Sequence, residues 1–282
     1  MSKFKAHINN IALSHAIFAL PFAYIGAMLA ADGIPKGTDL FWITLAMVGA
    51  RSAAMALNNF IDLKYDRLHP RFTNRPMVTG EVKPWEAVLL TCISLGVFFL
   101  AAANLHPVCL KLAPLVVIPF AVYPYMKRFS WTCHLVLGFA LALAPIGAWV
   151  AIQGQVILPI VILGLSVGVW IAGFDIIYGS QDVVFDKAHG LHSIPVRFGL
   201  EGGMMIAKAM HIISIIGFFA VGQLMQMQWL YYGGVLLAAI VLVYQHSIIN
   251  IANFQQVTQA YFMRNGLVSI ALLVFTFMSM VL

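Results

Sequence analysis

Two short segments concentrate the side chains able to do ionic chemistry. The first carries Asn58, Asp62 and Asp66, and the second carries Asp175, Tyr178, Asp182 and Asp186. Together they hold five of the 10 Asp and Glu residues, and each lies at the end of a long apolar stretch. On a helix, Asn58, Asp62 and Asp66 at i, i+4 and i+8 present an amide and two carboxylates in a row about 12 Å long. Asp182 and Asp186 repeat the i, i+4 step, with Asp175 and Tyr178 before them on roughly the same face. Two such stripes facing each other converge four or five carboxylates.

Carboxylates held that close repel one another, and their pKa values rise unless cations neutralise them. Hard divalent cations do so. Mg2+ takes oxygen ligands, keeps some of its water, and is commonly held by one or two carboxylates together with the phosphate oxygens of a substrate. Basic residues lie near both clusters: Arg51 before Asn58, Arg71 and Arg75 after Asp66, and the pair Lys127-Arg128 at another helix end. Such groups suit a diphosphate. The plainer alternative makes the acids solvated surface charges paired with Arg67 or Lys187.

The elements that must position these groups are membrane helices. Of the 282 residues, 62% are hydrophobic and 9% charged, far from the roughly 25% charged residues of soluble domains. Apolar runs recur near the ~20 residues that span a bilayer as a helix, without the ~10-residue alternation of a β-barrel. The expected fold is an all-α polytopic bundle of about nine transmembrane helices, at 11–31, 40–61, 85–105, 108–126, 133–152, 156–178, 202–222, 227–250 and 264–282. Residues 1–282 read as a single integral membrane domain with no room for a soluble one. The basic start containing Lys3 and Lys5 leads into an apolar run without a cleavage signal, and so into the first helix.

Orientation follows from Lys3, Lys5, Lys64, Arg67, Arg71, Arg75, Lys83, Lys127, Arg128, Lys187, Arg197 and Arg264, which alternation puts on one side, opposite Lys36 and Lys111. By the positive-inside rule the N-terminus and both acidic clusters face the cytoplasm, and an odd helix count leaves the C-terminus outside. The net charge of +6 is spread over short loops, which excludes a nucleic-acid surface and favours anionic lipid heads and a phosphorylated substrate. Cys92, Cys109 and Cys133 have no metal-type spacing and read as packing residues.

The chain resembles the UbiA superfamily of intramembrane aromatic prenyltransferases. Asn58, Asp62 and Asp66 match the family's N-D-x-x-D-x-x-x-D; the R-x-x-R-P element is recognisable in Arg71-Phe72-Thr73-Asn74-Arg75-Pro76, with one more residue between the arginines and Gly80 at the following turn; Asp175, Tyr178, Asp182 and Asp186 match D-x-x-Y-x-x-x-D-x-x-x-D; and Tyr123-Pro124 with Lys127-Arg128 matches Y-P-x-x-K-R. The likeness covers nearly the whole chain. Asn59 departs from it, standing where the family's first motif has aspartate, but it points about 100° from the Asn58, Asp62, Asp66 face. Lack of that aspartate, and the segment Gly190–Pro195 with His192, are similar to the 4-hydroxybenzoate polyprenyltransferase branch.

The resemblance implies Mg2+-dependent transfer of a polyprenyl group from its diphosphate to an aromatic acid, 4-hydroxybenzoate first, in respiratory quinone synthesis at the bacterial cytoplasmic membrane. Mg2+ would be held by Asn58, Asp62 and Asp66 on one side and by Asp182 and Asp186 on the other. The diphosphate would be held by Arg51, Arg71, Arg75, Lys127 and Arg128. Arg75, Asp175 and Tyr178 are the candidate catalytic residues, Asp175 either orienting the acceptor or accepting a proton. Tyr123, Tyr125, Phe174 and Tyr178 are candidates to face an allylic cation, and the stretch Gly138–Pro145 to line a lateral opening for the tail. A dihydroxynaphthoate acceptor in menaquinone synthesis, a cation-coupled transporter and a silent scaffold are the alternatives.

Overall fold

The computed structural model describes residues 3–11, 19–249 and 259–282, and among these the regular structure is helical, without a strand. The helices are α1 (Lys3–Asn10), α2 (Leu20–Ala31), α3 (Gly37–Asp66), α4 (Pro84–Ala103), α5 (Pro107–Met126), α6 (Cys133–Gln153), α7 (Leu158–Gly179), α8 (Val183–Ala188), α9 (Ile194–Leu224), α10 (Trp229–Ile248) and α11 (Gln259–Val281). All but α1 and α8 stand where the sequence predicts spans. Seven of the spans are long and apolar enough to cross a membrane, while α2 and residues 265–281 of α11 are shorter apolar helices. Residues 12–18 of the first predicted span lie outside the described residues.

Two boundaries matter for the site. Helix α3 runs 30 residues, to Asp66 and not to 61, so Asn58, Asp62 and Asp66 share one unbroken helix. Helix α9 begins at Ile194 and not at 202, because Ser193 caps it, accepting from the Val196 N–H at 3.3 Å, and Pro195 suits a first turn. Gly199 then breaks the helical path with φ of 77°, a left-handed value that glycine adopts without a Cβ penalty.

Helices α2, α6, α7, α9, α10 and α11 enclose an aromatic-rich core that includes Phe22, Trp149, Trp170, Phe218, Tyr231 and Leu272. Phe22 stacks on Phe218 at 5.8 Å and tilts against Trp170 at 5.4 Å. Lipid is as apolar as leucine, so helices associate through close packing and not through the hydrophobic effect. Gly138 of α6 meets Gly168 of α7 in this way, and a Cβ built on Gly168 would stand 2.8 Å from the Gly138 carbonyl oxygen. Gly138 is thus spent on a helix crossing, whereas Ala140, Leu141, Leu143 and Ala144 line a cavity. Leu115, Ile118, Ile212, Ile216 and Val243 point outward as a bilayer requires.

Chain direction alternates, so the C-terminal ends of α3, α5 and α7 meet the N-terminal ends of α4, α6 and α9 at one end of the bundle. Both acidic clusters lie there. The connections at this end carry Arg67, Arg71, Arg75, Lys83, Lys127, Arg128 and Lys187, which puts the basic residues and the acids on the same side.

Candidate active site

Helix α3 delivers Asn58, Asp62 and Asp66 from one side of a polar chamber of about 200 Å³. The second cluster reaches the chamber by a bent path. Helix α7 ends at Gly179, Ser180–Asp182 form a 3-10 turn, and α8 follows, so Asp175 and Tyr178 belong to α7, Asp182 to the turn and Asp186 to α8. The Ser180 hydroxyl supports the bend by donating to the Ile176 carbonyl at 2.8 Å. Asp182 and Asp186 therefore do not continue one regular stripe, yet both line the chamber.

Below the chamber lies a larger, mostly apolar cavity of about 410 Å³, running along α3 from Asn58 to Ile43 and walled by α4, α5, α6 and α7. At 1.5 Å per residue the 15 steps from Ile43 to Asn58 along α3 measure about 22 Å. Asn58, Arg75, Tyr123, Asp175 and Tyr178 border both spaces. The pair forms a single container, ionic at one end and apolar along its length.

Four of the five acids pair with an arginine or a lysine. Arg75 Nη1 donates to Asp66 Oδ2 at 2.5 Å, and its guanidinium lies 3.7 Å from the Phe72 ring centroid. Arg71 pairs with Asp182 and sits 5.3 Å from the Tyr178 ring. Lys127 Nζ is 3.4 Å from Asp186 Oδ2. Arg128 Nη2 donates to the Ile61 carbonyl at 2.7 Å and more weakly to Asp62 Oδ1 at 3.3 Å, packing near the Tyr65 and Tyr125 rings. Burial by itself lowers the Lys127 ammonium pKa, but the carboxylates of Asp186 and then Asp182 outweigh it and hold the group above its ordinary value. Lys127 is thus firmly charged and held beside Asp186.

These ion pairs bear on metal binding. Among the described residues no three His, Cys, Asp or Glu side chains are gathered closely enough to hold a metal ion, and Asp62, Asp66, Asp182 and Asp186 each lie against a basic side chain. The donor set nevertheless fits a hard divalent cation. Asn58, Asp62, Asp66, Asp182 and Asp186 offer oxygens to the same chamber, and Asn58 Oδ1 is buried without a hydrogen-bond partner.

Residues 19–267 match the profile of the UbiA prenyltransferase family. The chain belongs to that family. The 4-hydroxybenzoate octaprenyltransferase of Hydrogenovibrio crunogenus is 32% identical over 247 residues, 87% of this chain and 86% of that protein. The enzyme of the same name from Methylobacillus flagellatus is 31% identical over 242 residues, 86% and 81% of the two chains. Among solved structures, a UbiA homolog from Aeropyrum pernix K1 superposes with a TM-score of 0.85 at 34% identity, covering 95% of this chain and 98% of that one. A UbiA homolog from Archaeoglobus fulgidus bound to GPP and Mg2+ shares the fold, with a TM-score of 0.77 at 21% identity over 98% of this chain and 100% of that one. This UbiA-family chain is therefore an integral membrane prenyltransferase.

Within that fold Arg51 stands apart from the other basic residues. It lies two turns along α3 from Asn58, borders the apolar cavity and not the ionic chamber, and has no carboxylate partner among the described residues; its Nε is buried and unbonded. Arg71 borders neither space and pairs with Asp182. Tyr123 and Tyr178 border both cavities, Phe174 only the apolar one, stacking on Tyr178 at 6.1 Å. Tyr125 borders neither.

Three residues carry roles that spacing did not show. His69 Nε2 lies 3.2 Å from Asp182 Oδ1, its ring stacked on Phe72 at 4.4 Å and packed against Phe185 at 4.2 Å; its place three residues after Asp66 was the available signal. His134, at the start of α6, lies with Nδ1 2.6 Å from Asp175 Oδ2, and nothing in the local sequence announces a partner 41 residues away. Asn59 faces away from the chamber and donates through Nδ2 to the Asn10 carbonyl at 2.6 Å, tying α1 to α3. An aspartate there has no hydrogen to donate, which accounts for the amide at this position.

Proposed function

We propose that this UbiA-family enzyme transfers a polyprenyl group from its diphosphate to the ring of an aromatic acid of the 4-hydroxybenzoate type, with Mg2+, in quinone synthesis. The observation that carries this reading is the joined container: a charged chamber continuous with a long apolar cavity matches an amphiphile with an anionic head and a hydrocarbon tail. The names of the bacterial relatives favour 4-hydroxybenzoate over a dihydroxynaphthoate. The basic loops at the chamber end support a chamber on the cytoplasmic face of the bacterial inner membrane, with the N-terminus inside.

Bound at Asn58, Asp62, Asp66, Asp182 and Asp186, Mg2+ would supply positive charge that stabilises the departing diphosphate. Arg75, Lys127 and Arg128 donate hydrogen bonds to its oxygens, as charged donors do best in a partly dry site. The C–O bond of the prenyl diphosphate breaks with its electron pair on oxygen, and the ring carbon ortho to the phenol forms the new C–C bond, then loses its proton. Tyr123 and Tyr178 border the junction where the allylic cation forms, Phe174 stands beside Tyr178 on the apolar side, and the three rings shield the cation from water.

Arg51 takes a different role from the diphosphate binding that its sequence position suggests. A guanidinium that borders the same apolar cavity as Asp175, without an acid of its own, suits the carboxylate of the acceptor. That carboxylate distinguishes an aromatic acid from a plain phenol.

Prenyl transfer by purified protein in nanodiscs, with polyprenyl diphosphate, Mg2+ and either 4-hydroxybenzoate or a dihydroxynaphthoate, tests the reading. Expected is a product from 4-hydroxybenzoate that disappears with EDTA and in Asp62→Ala and Asp182→Ala. Product from the naphthoate alone would move the enzyme to menaquinone synthesis. Full activity in EDTA would refute the metal assignment.

A further inference from the structure

His134 stands outside the acidic and basic motifs, yet its geometry ties it to one of their members. Its side chain is fully buried at the head of α6, with Nδ1 2.6 Å from Asp175 Oδ2. An ionised carboxylate only accepts, so Nδ1 carries the hydrogen. The Cε1 atom, next to Nδ1 in the ring, lies over Gly179, where an added Cβ would stand 3.3 Å from it. Asp175 and Gly179 are i and i+4 on α7, so one face of α7 both binds the imidazole and makes room for it. Asp175 itself borders both cavities, beside Tyr123 and Tyr178, at the place where head and tail of the prenyl donor divide.

We infer that His134 is a positioning residue that holds the Asp175 carboxylate at the junction of the two cavities, where it accepts a hydrogen bond from the phenol O–H of the acceptor. The inference rests on the prenyl-transfer reading above. With its carboxylate on Arg51 and its phenol on Asp175, the acceptor ring is fixed at two opposite ends, and its ortho carbon is presented to the C1 carbon of the prenyl group. Without the imidazole, Asp175 is free to rotate toward the cations of the chamber, and the ring loses its register. A misplacement of about 1 Å lowers a rate by about 100-fold.

Kinetics and a direct probe of the hydrogen bond together test this. His134→Ala should lower kcat by about 100-fold while leaving the KM for polyprenyl diphosphate unchanged. His134→Asn, whose Nδ2 stands near the place of Nδ1, should recover most of the rate. In an Asp175→Asn background, His134→Ala should add little, since one residue acts through the other. Independent losses in the double variant, or a His134→Asn enzyme as slow as His134→Ala, would overturn the assignment. Magic-angle-spinning NMR of 15N-histidine-labelled protein in lipid reads the contact without turnover: the His134 Nδ1 resonance, identified by its loss in His134→Asn, should shift in Asp175→Asn. An unmoved resonance overturns the inference even in an active enzyme, whereas a shifted resonance in a wild type that prenylates no aromatic acid would sink the functional reading and leave the pairing intact.

Discussion

Replacing Arg51 by methionine separates two jobs that a cation in this enzyme could have. Methionine keeps much of the apolar stem and removes the guanidinium, which borders the apolar cavity two turns from Asn58 and pairs with no described carboxylate. If Arg51 holds the acceptor's carboxylate, the variant leaves that group buried and unpaired, at a cost of about 3–5 kcal/mol for breaking such a pair from one side. At 1.4 kcal/mol per tenfold, kcat/KM for 4-hydroxybenzoate should fall about 100- to 4000-fold. Its methyl ester has no such charge and should lose far less, so the acid-to-ester ratio is the quantity to measure, in nanodiscs at saturating prenyl diphosphate. The free enzyme gives a second reading. Its Arg51 Nε is buried without a hydrogen-bond partner, and a buried polar group left unpaired opposes folding, so the Tm of Arg51→Met should match or exceed that of wild type. An unchanged acid-to-ester ratio, with a rise confined to the KM for prenyl diphosphate, would refute the assignment and return Arg51 to the diphosphate.

Asn59→Asp replaces the donor that binds the Asn10 carbonyl with an acceptor and should destabilise the α1 contact by about 1–3 kcal/mol; limited proteolysis near the N-terminus should quicken while Mg2+ dependence stays unchanged. Gly138→Val forces side-chain atoms into the backbone of Gly168 at the α6–α7 crossing, and overpacking of this kind costs about 1–3 kcal/mol. Thermal unfolding in detergent should shift down accordingly, with the loss suppressed if bound prenyl diphosphate stabilises the bundle.

Much of this enzyme is legible in its sequence because the signals are local. Hydropathy over about twenty residues marks membrane spans wherever they end up in the bundle, and the described helices other than α1 and α8 stand where those runs predict them. The i, i+4, i+8 step of Asn58, Asp62 and Asp66 needs no tertiary information, since α3 is one continuous helix. The step from Asp182 to Asp186 was less secure: a 3-10 turn intervenes, and tertiary packing brings both acids to the chamber despite it.

Tertiary structure alone decided which charges neutralise one another. Arg71 and Asp182 are 111 residues apart and Arg128 and Asp62 are 66 apart, and no periodicity relates positions on separate helices. The same holds for His134 on Asp175 and for Asn59 turned toward α1. Arg51 shows the limit most clearly. Its residue type and its distance from Asn58 along the chain suit a diphosphate as well as they suit a carboxylate. What separates the two is that one turn of α3 faces the ionic chamber and an earlier one faces the apolar cavity, which depends on how α3 packs against α4 through α7. A sequence specifies the charges and their spacing along each helix; the dielectric and the partners each charge meets arise only when the helices close around a shared space.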